Sequence, residues 1–182
     1  CRQCGLIFPS QRLNKDESSI CLERMSQLSI KELLSRQRTS ISQRDNEQWT
    51  FLKKYLNFPT KAIDIGAYDG NFCEILTRMG FISYGLEAQQ DVAAWAKSQG
   101  RNVFYGHFPY EIPSQLSEQS YGMVSLMEVI YYFQDLKKSL DYVHSMLVDE
   151  GILLIKCHQG LSRWYRDHSY FSRYGDHVQG IP

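Results

Sequence analysis

No stretch of this sequence approaches the length of a membrane span, and its first residues lack the basic run followed by an apolar run that marks a secretory leader. Both absences speak for a cytoplasmic protein with no membrane partner. Net charge is absent too, since 20 basic and 20 acidic residues cancel. Residues 1–60 carry ten basic and six acidic groups, an excess of four that is too weak to imply nucleic acid binding. Cysteine is scarce, and the five positions 1, 4, 21, 73 and 157 are odd in number and irregular in spacing. That excludes a disulfide framework and suits reduced thiols. Repeats and low-complexity segments are missing as well. What remains is a chain of 182 residues that is 43% hydrophobic and 13% aromatic, enough to bury a substantial core in one α/β domain with a small appendage.

The most informative stretch is DIGAYDG, from Asp64 to Gly70. An apolar run, Lys61 to Ile65, leads into it and reads as a buried strand. A helical pattern leaves it, with Phe72, Ile75, Leu76 and Met79 on one face of Asn71 to Met79. A second apolar strand, Phe81 to Leu86, is then closed by Glu87. Strand, glycine turn, helix, strand and terminal acid in this order outline a nucleoside-cofactor site, where the carboxylate takes both ribose hydroxyls. In that role Glu87 is expected to be partly exposed, with Ala88 beside it.

One glycine is conspicuously missing. A dinucleotide site shows GxGxxG, whose second glycine admits a pyrophosphate onto the helix N-terminus, and here Tyr68 holds that position. Asp64 and Asp69 also make the turn acidic, which suits a cationic ligand better than a diphosphate. S-adenosylmethionine, with its sulfonium and ammonium, is such a ligand. Gly66, Ala67 and Gly70 are expected to bring backbone to its methionine end, and Asp64 to help hold its ammonium.

With these residues in view, the chain from about Trp49 to Gly160 resembles the class I S-adenosylmethionine-dependent methyltransferases. DIGAYDGNF looks like their first motif, and YGLEAQQDVAAWAKSQG like the strand, ribose acid and helix that follow. NVFYGHFP, residues 102 to 109, falls where the third strand ends near the adenine. The family usually has an acid there and this chain has His107, which leaves a backbone contact through His107 or Phe108. Tyr121 to Met127 resembles the fourth strand, with Met127 bordering the reacting methyl, and Leu136 to Leu147 its helix. VDEGILLIK, residues 148 to 156, resembles a glycine turn and fifth strand. The implied fold is a Rossmann-like, doubly wound α/β sheet without its last strands, over residues 42–182, preceded by a knuckle remnant and linker over residues 1–41.

A narrower likeness is to the zinc-containing C-methyltransferases that act on nucleotide-linked deoxysugars. It rests on the CRQCG start, on GHF, and on Tyr165, Asp167 and His168 ahead of Ser169-Tyr170-Phe171-Ser172. Those enzymes carry Tyr-x-Glu-His there, and a histidine after strand four that is replaced here by Glu128 to Tyr132. Cys1 and Cys4 have the shape of half a zinc knuckle, and Cys21 is the only nearby third ligand. The likeness implies another cysteine pair upstream, and the start at Cys1 and stop at Pro182 fit a piece of a longer protein. Zinc therefore stays open as a second cofactor.

Residues 157–182 hold three His, three Tyr and three Arg, and follow the fifth strand, beyond whose end a methyl acceptor would lie. Tyr165 or His168 could remove a proton from a small-molecule acceptor, with Asp167 orienting the imidazole. Ser42 to Leu56 reads as a helix ahead of the first strand, with Trp49 on its apolar face. Two other classes stay open, a binding module that kept the fold without catalysis and a nicotinamide oxidoreductase, the latter disfavoured by Tyr68. Oligomeric state is not legible.

Overall fold

A computed structural model of the chain describes residues 60–157. Five strands alternate with four helices: β1 (Lys61–Ile65), α1 (Asn71–Arg78), β2 (Ile82–Glu87), α2 (Gln90–Ser98), β3 (Val103–Tyr105), α3 (Ser114–Ser117), β4 (Tyr121–Met127), α4 (Leu136–Met146) and β5 (Leu147–Lys156). All pairings are parallel, in the order β3-β2-β1-β4-β5. The chain runs outward from β1 to β3 and then crosses back to β4 on the other side of β1. The ends of β1 and β4 therefore face the point where the winding reverses, which in open α/β sheets is where ligands bind.

Parallel strands covered on both faces are apolar almost throughout, and the central β1 and β4 are. Every residue of β1 after Lys61 is buried, as is every residue of β4 before Met127. On one face Ile63, Ile65, Leu86, Val124 and Leu126 pack with Leu116 of α3 and with Val143 and Met146 of α4. On the other, Ala62 and Met123 meet Phe72, Ile75 and Leu76 of α1. Each such side chain, fully buried, contributes about 1.5–3 kcal/mol. The helix α2 lies close because its contact residues are small: Ala93 and Ala96 pack with Ala67, Cys73 and Val103.

Helix ends follow their local chemistry. Gly70 caps α1 in the left-handed conformation, and Glu74 in the first turn and Arg78 in the last complement the helix dipole. Asp135 caps α4, its carboxylate accepting the Lys138 amide at 2.9 Å.

The strands fall where the sequence places them, with adjustments. The second runs one residue later than its apolar run, so Glu87 is its last residue rather than the one after it. The expected turn at 148–151 is absorbed into β5, which slips register between Tyr121 and Met123 and carries Glu150 at φ 60°. The extra residues make a bulge in one strand instead of a turn before it. Among the described residues β5 lies at the sheet edge. No helix among them is long and apolar enough to cross a membrane. The helix expected over Ser42 to Leu56 lies outside the described residues.

Gly85 is the packing bottleneck of β2. A Cβ there would come within 2.7 Å of Ala67 Cβ and 3.0 Å of Cys73 Sγ. Gly85→Ala should therefore destabilise the domain by about 1–3 kcal/mol, read as a lower denaturation midpoint at unchanged slope. An unshifted midpoint would mean that β2 and α1 have slack between them.

Candidate cofactor site

The turn after β1 is built from left-handed residues, Gly66 at φ 78°, Tyr68 at 49° and Gly70 at 74°. Gly66 needs the absence of a side chain twice over, because a Cβ would also lie 2.6 Å from Val129 Cγ2. Val129, in the turn after β4, is thus pressed against the turn after β1. The amides of Gly66 and Ala67 both donate to the Leu86 carbonyl, at 2.8 and 3.0 Å, and Gly70 donates to Ala67 at 2.8 Å. These amides stitch the turn to β2. Those N–H groups are therefore engaged within the protein.

Glu87 is the hinge of the arrangement. Its Oε2 accepts the Tyr68 amide at 2.7 Å and its Oε1 the Gln89 amide at 2.8 Å, so one carboxylate joins the turn after β1 to the turn after β2. It was expected to be partly exposed, and it is only 5% exposed. The two amides hold it inward. Burial raises its pKa, and the N–H groups of Gln89 and Tyr68 pull the other way. Ala88 lies between it and Gln89. The Gln89 side-chain oxygen is buried and has no hydrogen-bond partner among the described residues.

Asp64 sits behind the turn, 2% exposed, with the Ser125 hydroxyl donating to its Oδ1 at 2.6 Å. Burial pushes its pKa up to about 7; the Ser125 hydrogen bond opposes the shift and the nearby Glu87 carboxylate adds to it. The Cys73 thiol is likewise raised, first by burial and then by Asp64, so it is a packing group rather than a nucleophile.

The third-strand end is ordered by its own backbone. His107 donates its amide to the Glu111 carbonyl at 2.9 Å and accepts the Glu111 amide at 2.7 Å, while its Nε2 lies 3.1 Å from the Tyr105 hydroxyl. Of the two expected backbone contacts, His107 is thus engaged with Glu111. The ring of Phe108 packs between Phe133 and Tyr142, each with centroids 5.5 Å away. Gly106 donates to the Glu87 carbonyl at 3.0 Å, which holds this segment to the end of β2. Met127 is the half-buried last residue of β4.

The structure therefore gathers Asp64, Gly66, Ala67, Gly70, Glu87 and Ala88 at the ends of β1 and β2, with His107 and Phe108 past β3 and Met127 at β4. Tyr165, Asp167, His168, Cys1 and Cys4 lie outside the described residues. Among the described residues no three His, Cys, Asp or Glu side chains are grouped to hold a metal. Sequence reasoning missed Ser125, Val129 and the inward hold on Glu87. Ser125 alone carried a signal, as a hydroxyl inside an apolar strand.

A parallel sheet with a glycine turn after β1, a carboxylate ending β2 and a reversal between β1 and β4 defines the cofactor-binding unit of a Rossmann-like enzyme. The family model described as "Methyltransferase domain" matches residues 27–181, and the chain belongs to that family. No curated protein sequence matches it. Among solved structures it is similar to an S-adenosylmethionine-bound amino pentose methyltransferase from Micromonospora echinaspora, at 11% identity and a TM-score of 0.55, over 84% of this chain and 60% of that one. It is also similar to a TehB-like S-adenosylmethionine-dependent methyltransferase from Corynebacterium glutamicum, at 16% identity and a TM-score of 0.52, over 78% and 73%. The chain spans about half the length of others, 53% and 51%. At such identities the likeness is one of fold.

The Asp64 pKa has a stability consequence. A folded value of about 7 against an ordinary 3.8 means that the folded chain keeps a proton which the unfolded chain releases. The stabilisation is complete below the lower value and lost as pH rises through the upper one. Asp64→Asn should thus gain on the parent by at most about 1.4 kcal/mol per pH unit across this window, and hold the gain above it. Paired denaturation curves at acid and neutral pH check this; a pH-independent difference would show that the Asp64 pKa is the same in the folded and unfolded chain.

Proposed function

We propose that this chain binds S-adenosylmethionine and transfers its methyl group to a small-molecule acceptor. The observation that carries the reading is the Glu87 carboxylate at the end of β2, joined by the Tyr68 amide to the glycine turn after β1. The groups present suit such a ligand. Glu87 uses two of its acceptor positions on backbone and keeps others for ribose hydroxyls. The unpartnered Gln89 oxygen beside it calls for a donor of the kind a nucleoside offers. Gly66 and Gly70 give the turn the left-handed backbone that curves it past the end of β1, and the acidic pair Asp64 and Glu87 favours a cation over a diphosphate. Tyr68, with its left-handed backbone where a dinucleotide site has glycine, argues against a nicotinamide cofactor.

When bound, S-adenosylmethionine supplies a methyl group on a good leaving group, for in-line displacement. The chain then contributes alignment and exclusion of water. Met127 would border the methyl, Ala88 would adjoin the adenine with a backbone contact from His107 or Phe108, and Asp64 would sit behind the turn toward the ammonium. The narrower reading is C-methylation of a nucleotide-linked sugar, in which Tyr165 or His168 takes the acceptor proton, Asp167 orients the imidazole, and Cys1 and Cys4 belong to a zinc knuckle. It is supported by the order of those residues in the sequence.

Calorimetry with S-adenosylhomocysteine beside NAD separates the readings, with binding of the first alone expected. Glu87→Gln keeps the bulk and one acceptor oxygen but loses the charge, so S-adenosylhomocysteine should bind more weakly by about 1–3 kcal/mol. Unchanged affinity would remove Glu87 from the site. In a protein turning over a working acceptor, His168→Ala or Tyr165→Phe should lower the rate by about 10²-fold, with S-adenosylhomocysteine affinity within about threefold. Equal loss of both would make the tail a lid, and normal turnover would leave alignment as the whole mechanism.

A further inference from the structure

The described residues hold one cation that reaches across the fold to the glycine turn. Arg101 lies in the connection between α2 and β3, with its side chain 13% exposed. Its Nη1 donates to the Asp69 carbonyl at 2.6 Å and lies 3.9 Å from Asp69 Oδ2. Its Nε and Nη2 both donate to Glu74 Oε2, at 3.1 and 2.8 Å. The stem contributes too, since Arg101 Cδ and Cβ lie 3.1 and 3.3 Å from where a Gly70 Cβ would be. Behind it the Trp95 ring faces the guanidinium, with its centroid 5.9 Å from the guanidinium carbon.

These contacts fall on both sides of Gly70. Asp69 precedes it in the turn, and Glu74 is in the first turn of α1. The turn carries three left-handed residues, one of them the non-glycine Tyr68, and such a backbone persists only where its surroundings over-determine it. Glu87 fixes the turn at the Tyr68 amide. On the α1 side the Asp69 carboxylate accepts the Asn71 amide at 2.9 Å, a tie within the turn itself, whereas Arg101 ties the turn to a separate segment; the Glu74 carboxylate is held below its ordinary pKa, first by its hydrogen bond from Arg101.

We propose that Arg101 is a positioning residue for the cofactor: by clamping the Asp69 carbonyl to Glu74 it holds the glycine turn in the shape that receives the methionine end. This rests on the cofactor reading above. The ribose end is governed by Glu87, on the other side of the turn, so the clamp acts on one half of the ligand. A planar fork is required, because the donors must point at two acceptors in different directions, and a lysine ammonium on its flexible stem does not reproduce that.

Calorimetry with two ligands tests it. S-adenosylhomocysteine has the amino-acid end; 5′-methylthioadenosine lacks it. Arg101→Met should weaken S-adenosylhomocysteine about tenfold and leave 5′-methylthioadenosine within about twofold, with Arg101→Lys in between. A purely structural ion pair would lower both affinities alike, through the folded fraction, and equal losses or no loss overturn the proposal. If Arg101→Met does not fold, Glu74→Gln loosens the clamp from its other side with the arginine kept. It should give a smaller loss of the same ligand-selective kind, and a non-selective or absent loss overturns the proposal equally. A parent protein that binds neither ligand overturns the cofactor reading, and the clamp with it.

Discussion

The arrangement at the top of the sheet depends on one buried carboxylate. Glu87 ends β2, yet its two oxygens serve backbone amides of two different turns, Tyr68 after β1 and Gln89 before α2. Charge-assisted bonds of this kind are about twice as strong as neutral ones, and inside a protein they act at short range with little screening. Without them Tyr68 would have no described partner for an amide held in left-handed backbone. The same group is therefore both the structural tie between two strand ends and the acidic feature at the end of β2.

Behind it the electrostatics are unusual for a core. Asp64 and Glu87 are both buried and both raised in pKa, and the nearest help for Asp64 is a neutral hydroxyl from Ser125. Two carboxylates in a low-dielectric region tolerate each other when one holds a proton or when a cation arrives. Arg101, the clamp on the far side of the turn, is engaged with Asp69 and Glu74 instead.

The fold was readable because its signals are local. Apolar runs such as KAIDI and YGMVSLM, short and bounded by turn residues, read as buried strands, and Gly66 and Gly70 mark a turn whichever ligand it serves. The site was readable only in outline. Glu87 stands out by position, but its inward orientation depends on amides 19 residues upstream and two residues downstream, which no periodicity reveals. Val129 looks like an ordinary apolar residue until the crossover brings it against Gly66. Asp149-Glu150-Gly151 has turn chemistry and reads as a turn, whereas β5 carries these residues as a register irregularity, which a strand at the sheet edge absorbs without breaking.

Val129 and Gly66 belong to the turns that follow β4 and β1, strands adjacent in space but far apart in the chain, and they share one small volume. In such a pair size is exchangeable: a smaller residue at 129 makes space for a methyl at 66. Handedness is not. At φ 78° any L side chain remains strained, however much room its neighbour yields. The two positions are therefore unequal as evolutionary variables, with 129 free to be tuned for fit and 66 held by chirality, so diversification of this cleft would proceed from the β4 side.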